Sequence, residues 1–190
     1  MPLYPPVAAA ARLLAHSETD GTQDNSTAEF NIVNTTIAAG TLAVGDSIRL
    51  HARAMVFNGS ALGVTVRWRL YLAGTVIADT GATDTAGASG SRWRPWRLDS
   101  VISLISLTQI WHRSDLVGIN TDPATETTWM PIVSGGSAAG VHRLASIETI
   151  AVSGLNFANA TALRFTGTLG TAAAGAQLRT NGFTLERLFN

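Results

Sequence analysis

Regular alternation of apolar and polar residues marks the segment Ser47–Asp79. Every second residue is apolar over Ile48–Val56, and the alternation resumes over Val64–Leu72. A period of two places one set of side chains in a core and the other set outward, as in a β-strand. The residues between the two runs, Asn58–Gly63, are rich in Gly and Ser, which is typical of a hairpin connection. The pattern therefore predicts two neighbouring strands of an antiparallel sheet.

The rest of the chain after residue 30 follows the same plan. Short segments rich in β-branched and aromatic residues alternate with clusters of Gly, Ala, Ser, Asn and Asp, and no helical period lies between them. We expect an all-β domain, either an antiparallel jelly-roll-like β-sandwich or another Greek-key sandwich. The predicted strands are Phe30–Thr36, Ser47–Asn58, Val64–Ala73, Thr75–Asp79, Arg92–Leu98, Val101–Arg113, Thr127–Ile132, Val141–Val152, Ala162–Leu169 and Gln177–Phe189.

The first thirty residues have a different character. Pro2, Pro5 and Pro6 keep the start of the chain extended. Val7–His16 is rich in Ala and Leu, which predicts one short helix, and a polar stretch with turn signals follows it. We divide the chain into an N-terminal arm or anchor with its loop, residues 1–30, and a β-sandwich domain, residues 31–190. A frayed terminus is the alternative interpretation of the first part.

Composition points toward a protein that is covered by partners. Apolar residues make up 46% of the chain and charged residues only 14%, below the roughly 25% usual in soluble domains. Low charge favours an oligomer, unless the many Thr and Ser residues supply the polar surface. The net charge is zero, so we expect neither nucleic acid nor a membrane surface as a partner. All thirteen basic residues are Arg, and Cys is absent.

No familiar catalytic or metal-binding arrangement is evident in the sequence. The four His residues lack zinc-ligand spacing, and no G-x-S-x-G motif is present. The acidic residues lie mostly at predicted turns and strand ends, where capping and solvation are the usual roles. Asp20–Asn25 resembles a calcium loop only faintly, because the closing Glu is missing. We expect a protein that is not an enzyme and that uses no cofactor and no metal.

The sharpest local feature is the alternation of Arg and Trp in Ser91–Arg97. Trp and Arg dominate interface hot spots, so we interpret Arg92, Trp93, Arg94 and Trp96 as candidate partner-binding residues. The alternative is that the Trp side chains fill the core while the Arg side chains point outward. We favour that alternative for Trp68. Pro95 cannot donate to a strand ladder, so it predicts an edge strand or a bulge.

Three segments resemble a known family. The first is T-I-A-A-G-T-L-A-V-G-D-S-I-R-L (Thr36–Leu50), the second V-R-W-R-L-Y-L-A-G-T-V-I-A-D-T-G (Val66–Gly81), and the third runs over Ala162–Leu188 and contains F-T-L-E. They resemble the opening turn and long strand, the next strand and hairpin, and the closing strand pair of a β-domain common in virion proteins of tailed bacteriophages. Together they cover most of residues 32–188.

The resemblance implies a jelly-roll-type sandwich, commonly a homotrimer, on the virion surface. The protein is then expected to be a capsid decoration or cement protein or a head-fibre component, made in the bacterial host cytoplasm. Its expected partners are identical copies and the major capsid protein or another virion protein. The arm would dock onto the shell and supplies the other candidate partner-binding residues, Tyr4, Pro5, Pro6, Leu13 and Leu14.

Two other functions stay open from the sequence. A tail-associated receptor- or carbohydrate-binding module would bind a host-surface glycan through exposed aromatic rings, for which Trp93, Trp96, Trp111 and Trp129 are the candidates. A glycoside hydrolase is the least favoured of the three, since it needs two carboxylates facing each other in a groove.

Overall fold

The computed structural model describes residues 11–59, 64–84, 92–118, 141–152 and 155–188, and these residues form ten β-strands and no helix. All neighbouring strands pair antiparallel. The predicted all-β class is confirmed. The strands are β1 (Arg12–Asp24), β2 (Phe30–Ile37), β3 (Ser47–Asn58), β4 (Thr65–Leu72), β5 (Thr75–Asp84), β6 (Arg92–Leu104), β7 (Gln109–Gly118), β8 (Val141–Ala151), β9 (Thr161–Leu169) and β10 (Ala176–Leu188).

The strands form two sheets packed face to face. One has six strands in the order β1-β10-β3-β6-β7-β8, and the other has four in the order β2-β9-β4-β5. Without the β7–β8 hairpin, each sheet has four strands, and the connections pass back and forth between the sheets as in the two Greek keys of a jelly roll. The β7–β8 hairpin widens the first sheet. The predicted jelly-roll-like sandwich is therefore the observed architecture.

Alternation in the sequence sets the two faces of each sheet. The apolar positions of β3 and the β4 region are at most 2% exposed, and the intervening residues of β3 and β4 lie on the outer faces. Burying these side chains supplies most of the favourable free energy of folding, at about 25 cal/mol for each Å² of apolar surface removed from water. The buried residues predicted from the pattern are Ile48, Leu50, Ala52, Ala54, Val56, Val64, Val66, Trp68, Leu70 and Leu72.

Three aromatic rings join the two sheets at the centre of the core. Trp68 of β4 lies between Trp96 of β6, whose ring centre is 5.3 Å away, and Phe165 of β9, whose ring centre is 5.5 Å away. Trp68 is fully buried and Trp96 is 2% exposed. The core interpretation of Trp68 is confirmed.

The start of the chain departs from the prediction. The predicted helix over Val7–His16 is wrong from residue 12 onward, because Arg12 begins β1, which pairs along the edge of the six-stranded sheet with β10. Ala and Leu favour a helix only weakly, and pairing with β10 while Leu14 and Ala15 pack against the core outweighs that preference. The structure describes the chain only from residue 11, so the anchor role of residues 1–30 stays a prediction.

Two further predictions about strands need correction. The single strand predicted over Val101–Arg113 is two strands, because Ile105 and Ser106 donate backbone hydrogen bonds to the Gln109 carbonyl and close a turn between β6 and β7. The strand that contains Pro95 is not an edge strand, since β6 lies between β3 and β7. Among the described residues, Pro95 pairs with Met55 of β3, and the described pairing of β6 with β7 starts at Trp96. The predicted strand Thr127–Ile132 lies outside the described residues.

Candidate functional site

The outer face of the six-stranded sheet carries a groove where β1 and β10 are irregular. Both strands shift register at the same level, β1 between Ser17 and Asp20 and β10 between Thr180 and Phe183. Gly182 has a φ of 94°, and a Cβ at this position would lie 2.5 Å from the Ser17 carbonyl oxygen. The close approach of the two backbones therefore requires glycine. An open groove of about 380 Å³ results.

Basic side chains line one side of this groove. Arg53 of β3 and Arg97 of β6 are directly opposite each other in the antiparallel ladder, and both are exposed. Among the described residues, neither guanidinium group forms an ion pair or a hydrogen bond. Like charges directly opposite each other on adjacent strands repel. The groove thus holds two neighbouring guanidinium groups whose charge nothing in the described part of the chain neutralises.

The other charged groups at the groove already have partners. His16 Nε2 lies 3.4 Å from Glu18 Oε1, and His51 Nδ1 lies 3.7 Å from Asp99 Oδ2. The other carboxylate oxygen of Asp99, Oδ1, lies 3.6 Å from Nε of Arg49. The two nearby carboxylates are therefore engaged with other groups and do not reach Arg53 or Arg97.

The outer face of the four-stranded sheet carries a different polar cluster, centred on Glu29 just before β2. Tyr71 donates a hydrogen bond of 2.5 Å and Thr166 one of 2.8 Å to Glu29 Oε1, while Arg164 donates one of 3.3 Å to Oε2. Partial burial raises the pKa of Glu29, but the hydrogen bonds from Tyr71 and Thr166 and the charges of Arg164 and Arg69 outweigh it. The net pKa lies below the ordinary value, so Glu29 is a carboxylate that fastens β2 to β4 and β9.

Asp79 of β5 lies beside this cluster and is held in a similar way. Arg67 donates to both of its carboxylate oxygens, at 2.8 and 2.5 Å, and Arg69 donates at 3.2 Å. The hydrogen bond from Arg67, helped by the backbone N–H of Gly81, lowers the pKa of Asp79 to about 2. Since these acidic and basic groups satisfy one another, the cluster stabilises the fold and offers little free capacity for a ligand.

The predicted Arg–Trp surface is only partly exposed. Trp93 is half-buried, with its ring 5.2 Å from that of Phe57 and with the guanidinium of Arg179 6.0 Å from its centre. Arg94 is also half-buried, and for Arg92 the structure describes the backbone within β6. The prediction that Trp96 binds a partner needs correction. The Trp96 side chain points into the core against Trp68, because its position in β6 faces the second sheet.

Of the remaining predicted site residues, the structure describes Leu13, Leu14 and Trp111. Leu13 is 57% exposed near the start of β1, whereas Leu14 is half-buried and packs against the core. Trp111 is half-buried on β7. Tyr4, Pro5, Pro6 and Trp129 lie outside the described residues.

Large exposed apolar side chains gather at one end of the sandwich. Strand register places the start of β1, the β2–β3 loop, the β4–β5 hairpin and the β6–β7 turn at this end. Every large apolar residue that is exposed in the described part of the chain lies there, and we call this set the apolar end. Its members are Leu13, Val44, Val76, Ile105 and Leu107.

The loops of the apolar end are held in place by defined bonds. Leu104 donates a backbone hydrogen bond to Asp46 and accepts one from Gly45, which joins the β2–β3 loop to the end of β6. Arg187 of β10 forms an ion pair of 2.9 Å with Asp46 and donates to the Thr41 carbonyl. The β2–β3 loop of the apolar end is therefore fixed to the sandwich.

Metal binding finds no support in the described residues, where no group of three or more His, Cys, Asp or Glu side chains could hold an ion. Asp20–Asn25, the faint calcium-loop candidate, lies largely within β1, and Asp20 pairs with Arg179. No helix in the described part of the chain could span a bilayer.

Sequence reasoning missed the groove and the apolar end. Alternation does reveal that Arg53 points outward, but it carries no information on which strands are neighbours or where they bulge. The apolar residues at strand ends are isolated in the sequence, and only the topology brings them to one end of the fold.

Comparison with known proteins gives limited results. No protein-family model matches the chain. No curated protein matches it either. The CBM2 module of the evolved Dit of Lactobacillus casei BL23 phage J-1 is 14% identical, with a TM-score of 0.37 over 83% of this chain and 69% of that one. The infectious bursal disease virus Gx strain structure is 16% identical, with a TM-score of 0.24 over 96% of this chain and 42% of that one. Likeness at this level establishes no shared function.

Proposed function

We propose that this protein is a structural protein of a tailed-phage virion that acts by binding and not by catalysis. In this proposal it is a trimeric capsid decoration or cement protein, or a head-fibre component, made in the bacterial cytoplasm and attached to the shell. The observation that carries the proposal is the apolar end. All the large apolar side chains that are exposed in the described residues lie at this one end, and such a concentration favours protein–protein contact.

The position of the apolar end fits attachment through the N-terminal arm. Residue 11 leads directly into β1, and Leu13 of the apolar end lies at the start of that strand. The predicted arm, with Tyr4, Pro5 and Pro6, therefore joins the sandwich at the same end as the exposed apolar side chains. In this proposal both the arm and the apolar end contact the shell.

The segments that resemble the phage family give the second line of support. Thr36–Leu50 forms the β2–β3 connection and the start of β3, Val66–Gly81 forms the β4–β5 hairpin, and Ala162–Leu188 forms β9 and β10. These segments contribute strands to both sheets of the jelly roll. The resemblance thus coincides with the framework of the sandwich.

Trimerisation strengthens attachment in this proposal. Three copies held together present three arms and three apolar ends to a shell, and linked weak contacts gain from effective concentration. The outer edges of the two sheets, β1 and β8 in one and β2 and β5 in the other, supply backbone groups that neighbouring subunits can cover.

Virion incorporation tests the shell contact. The double variant Ile105→Asp/Leu107→Asp places two carboxylates on the apolar end. When the host produces this variant in place of the original protein, we expect the virions to lack it. The matched control is Thr171→Asp/Ala174→Asp, which adds two carboxylates at exposed positions of the β9–β10 turn at the opposite end. Equal incorporation of both variants would refute the apolar end as the shell surface.

Two further measurements complete the test. Deleting residues 1–10, which leaves β1 whole, should reduce incorporation if the arm is an anchor. Native mass spectrometry should give three times the 19.9 kDa chain mass, for the original protein and for both double variants. A single-copy particle at micromolar concentration would exclude the trimer.

A further inference from the structure

We propose that the groove between β1, β10, β3 and β6 is a binding site for an anionic saccharide, with Arg53 and Arg97 holding its carboxylate or phosphate group. This inference goes beyond the attachment role proposed above and does not depend on it. The groove lies on the outer face of the six-stranded sheet, whereas the apolar end lies at one end of the sandwich.

The charge of the groove favours an anion. Arg53 and Arg97 face each other across adjacent strands, and among the described residues nothing neutralises them. Their mutual repulsion is relieved when one anionic group lies between them. Guanidinium groups bind carboxylate and phosphate through two parallel N–H donors each, which gives short, charge-assisted hydrogen bonds.

The nearest carboxylates do not compete for this position. Glu18 is 86% exposed and lies beside His16, while Asp99 lies between Arg49 and His51. His16 and His51 line the same groove and supply ring N–H donors. The groove therefore carries donors on β1 and β3 in addition to the two Arg side chains.

The other lining residues favour a sugar over a simple ion. Asn181 and Thr184 offer amide and hydroxyl groups along the groove. Sugar hydroxyl groups both donate and accept hydrogen bonds, so they can pair with such side chains. A groove of about 380 Å³ lies within the range of small-ligand sites, roughly 300–1,000 Å³.

Calorimetric titration of the purified full-length protein tests the site with two anionic probes. Digalacturonate carries carboxylates and galactose 1-phosphate carries a phosphate, so the two titrations show which of the two anionic groups binds. The neutral counterparts are the dimethyl ester of digalacturonate and methyl galactoside. We expect saturable binding of at least one anionic probe and none of its neutral counterpart. No binding of either anion up to about 10 mM, or equal binding of a neutral sugar, would overturn the proposal.

Charge-removing variants locate the bound anion. Arg53→Gln/Arg97→Gln should weaken binding by about tenfold or more, since it removes both charges that form charge-assisted hydrogen bonds with the anion. The control Arg113→Gln removes a half-exposed Arg from the same outer face, and its affinity should stay within about twofold. Equal weakening by the control would show unspecific attraction to the sheet and would overturn the proposed site.

The binding experiment uses the isolated protein, whereas the shell contact is measured by incorporation into virions. A negative result in one experiment therefore does not affect the other, and each proposal can be refuted on its own.

Discussion

Gly167 of β9 makes room for the indole ring of Trp68 on the neighbouring strand β4. The two residues are directly opposite in the ladder, and a Cβ at position 167 would lie 2.8 Å from Cζ3 of Trp68. The ring is fixed from its other sides by Trp96 and Phe165. A large aromatic side chain at the centre of the core is thus possible only because its neighbour has no side chain.

Replacing Gly167 by Ala should destabilise the fold by about 1–3 kcal/mol, because the added methyl group overpacks a core that cannot yield. Urea unfolding measures the change. In the double variant Gly167→Ala/Trp68→Phe the ring atoms that would clash are absent, so the cost should be smaller than the sum of the two single variants. Simple additivity would show that the two residues do not interact.

The carboxylate of Asp79 should stabilise the fold in a pH-dependent way. Its pKa is lowered to about 2 from the ordinary value of 3.8, chiefly by Arg67. The contribution is complete above pH 3.8 and is lost as the pH falls through about 2. Asp79→Asn should therefore cost about 1 kcal/mol at pH 7, and the difference from the original protein should shrink steadily between pH 4 and pH 2.

Urea unfolding at several pH values follows this difference. Asp24→Asn, at the exposed end of β1, serves as the control and should change the free energy of unfolding little at pH 7. A cost of Asp79→Asn that stays constant down to pH 2 would contradict the ion pair with Arg67.

The buried hydroxyl groups of Ser100 and Ser114 should behave as a unit. They are fully buried on β6 and β7 and share a hydrogen bond of 2.7 Å. Either single change to Ala leaves one buried hydroxyl without this partner and should cost about 1–2 kcal/mol, whereas the double change removes both groups and should cost little more than either alone. A double-mutant cycle from denaturation curves measures the coupling, and a coupling near zero would argue against the bond.

Removing one member of the facing Arg pair should not weaken the fold. Arg97→Gln relieves repulsion from Arg53, so the free energy of unfolding should stay within about 0.5 kcal/mol of the original value or rise. The comparison is Arg67→Gln, which breaks the pair with Asp79 and should lower the melting temperature. A clear loss of stability in Arg97→Gln would mean that this side chain has an attractive partner.

Much of the fold can be predicted from the sequence because side-chain period is a local property. The alternation over Ile48–Val56 fixes which face of β3 is buried whatever strand lies beside it. The Ala73–Gly74 connection is likewise local: both residues have positive φ angles, and the chain turns there from β4 into β5. The chemistry of these short stretches is sufficient to specify them.

Local patterns were misleading where a distant strand decided the outcome. The Ala- and Leu-rich start of the chain becomes strand β1 only because β10 offers it an edge. Trp93 and Trp96 belong to one Arg–Trp run, yet one lies on the outer face and the other in the core, since a strand turns successive odd and even positions to opposite faces.

The sequence by itself determined the β-sheet class, the buried faces of the central strands and the outward direction of Arg53, because all of these depend on a period of two. Only the tertiary structure decided that Arg97 also points outward and faces Arg53, that paired bulges in β1 and β10 open a groove beside them, and that scattered apolar residues meet at one end. Pairing and register arise from contacts between strands that are far apart in the chain, and no local period encodes those contacts.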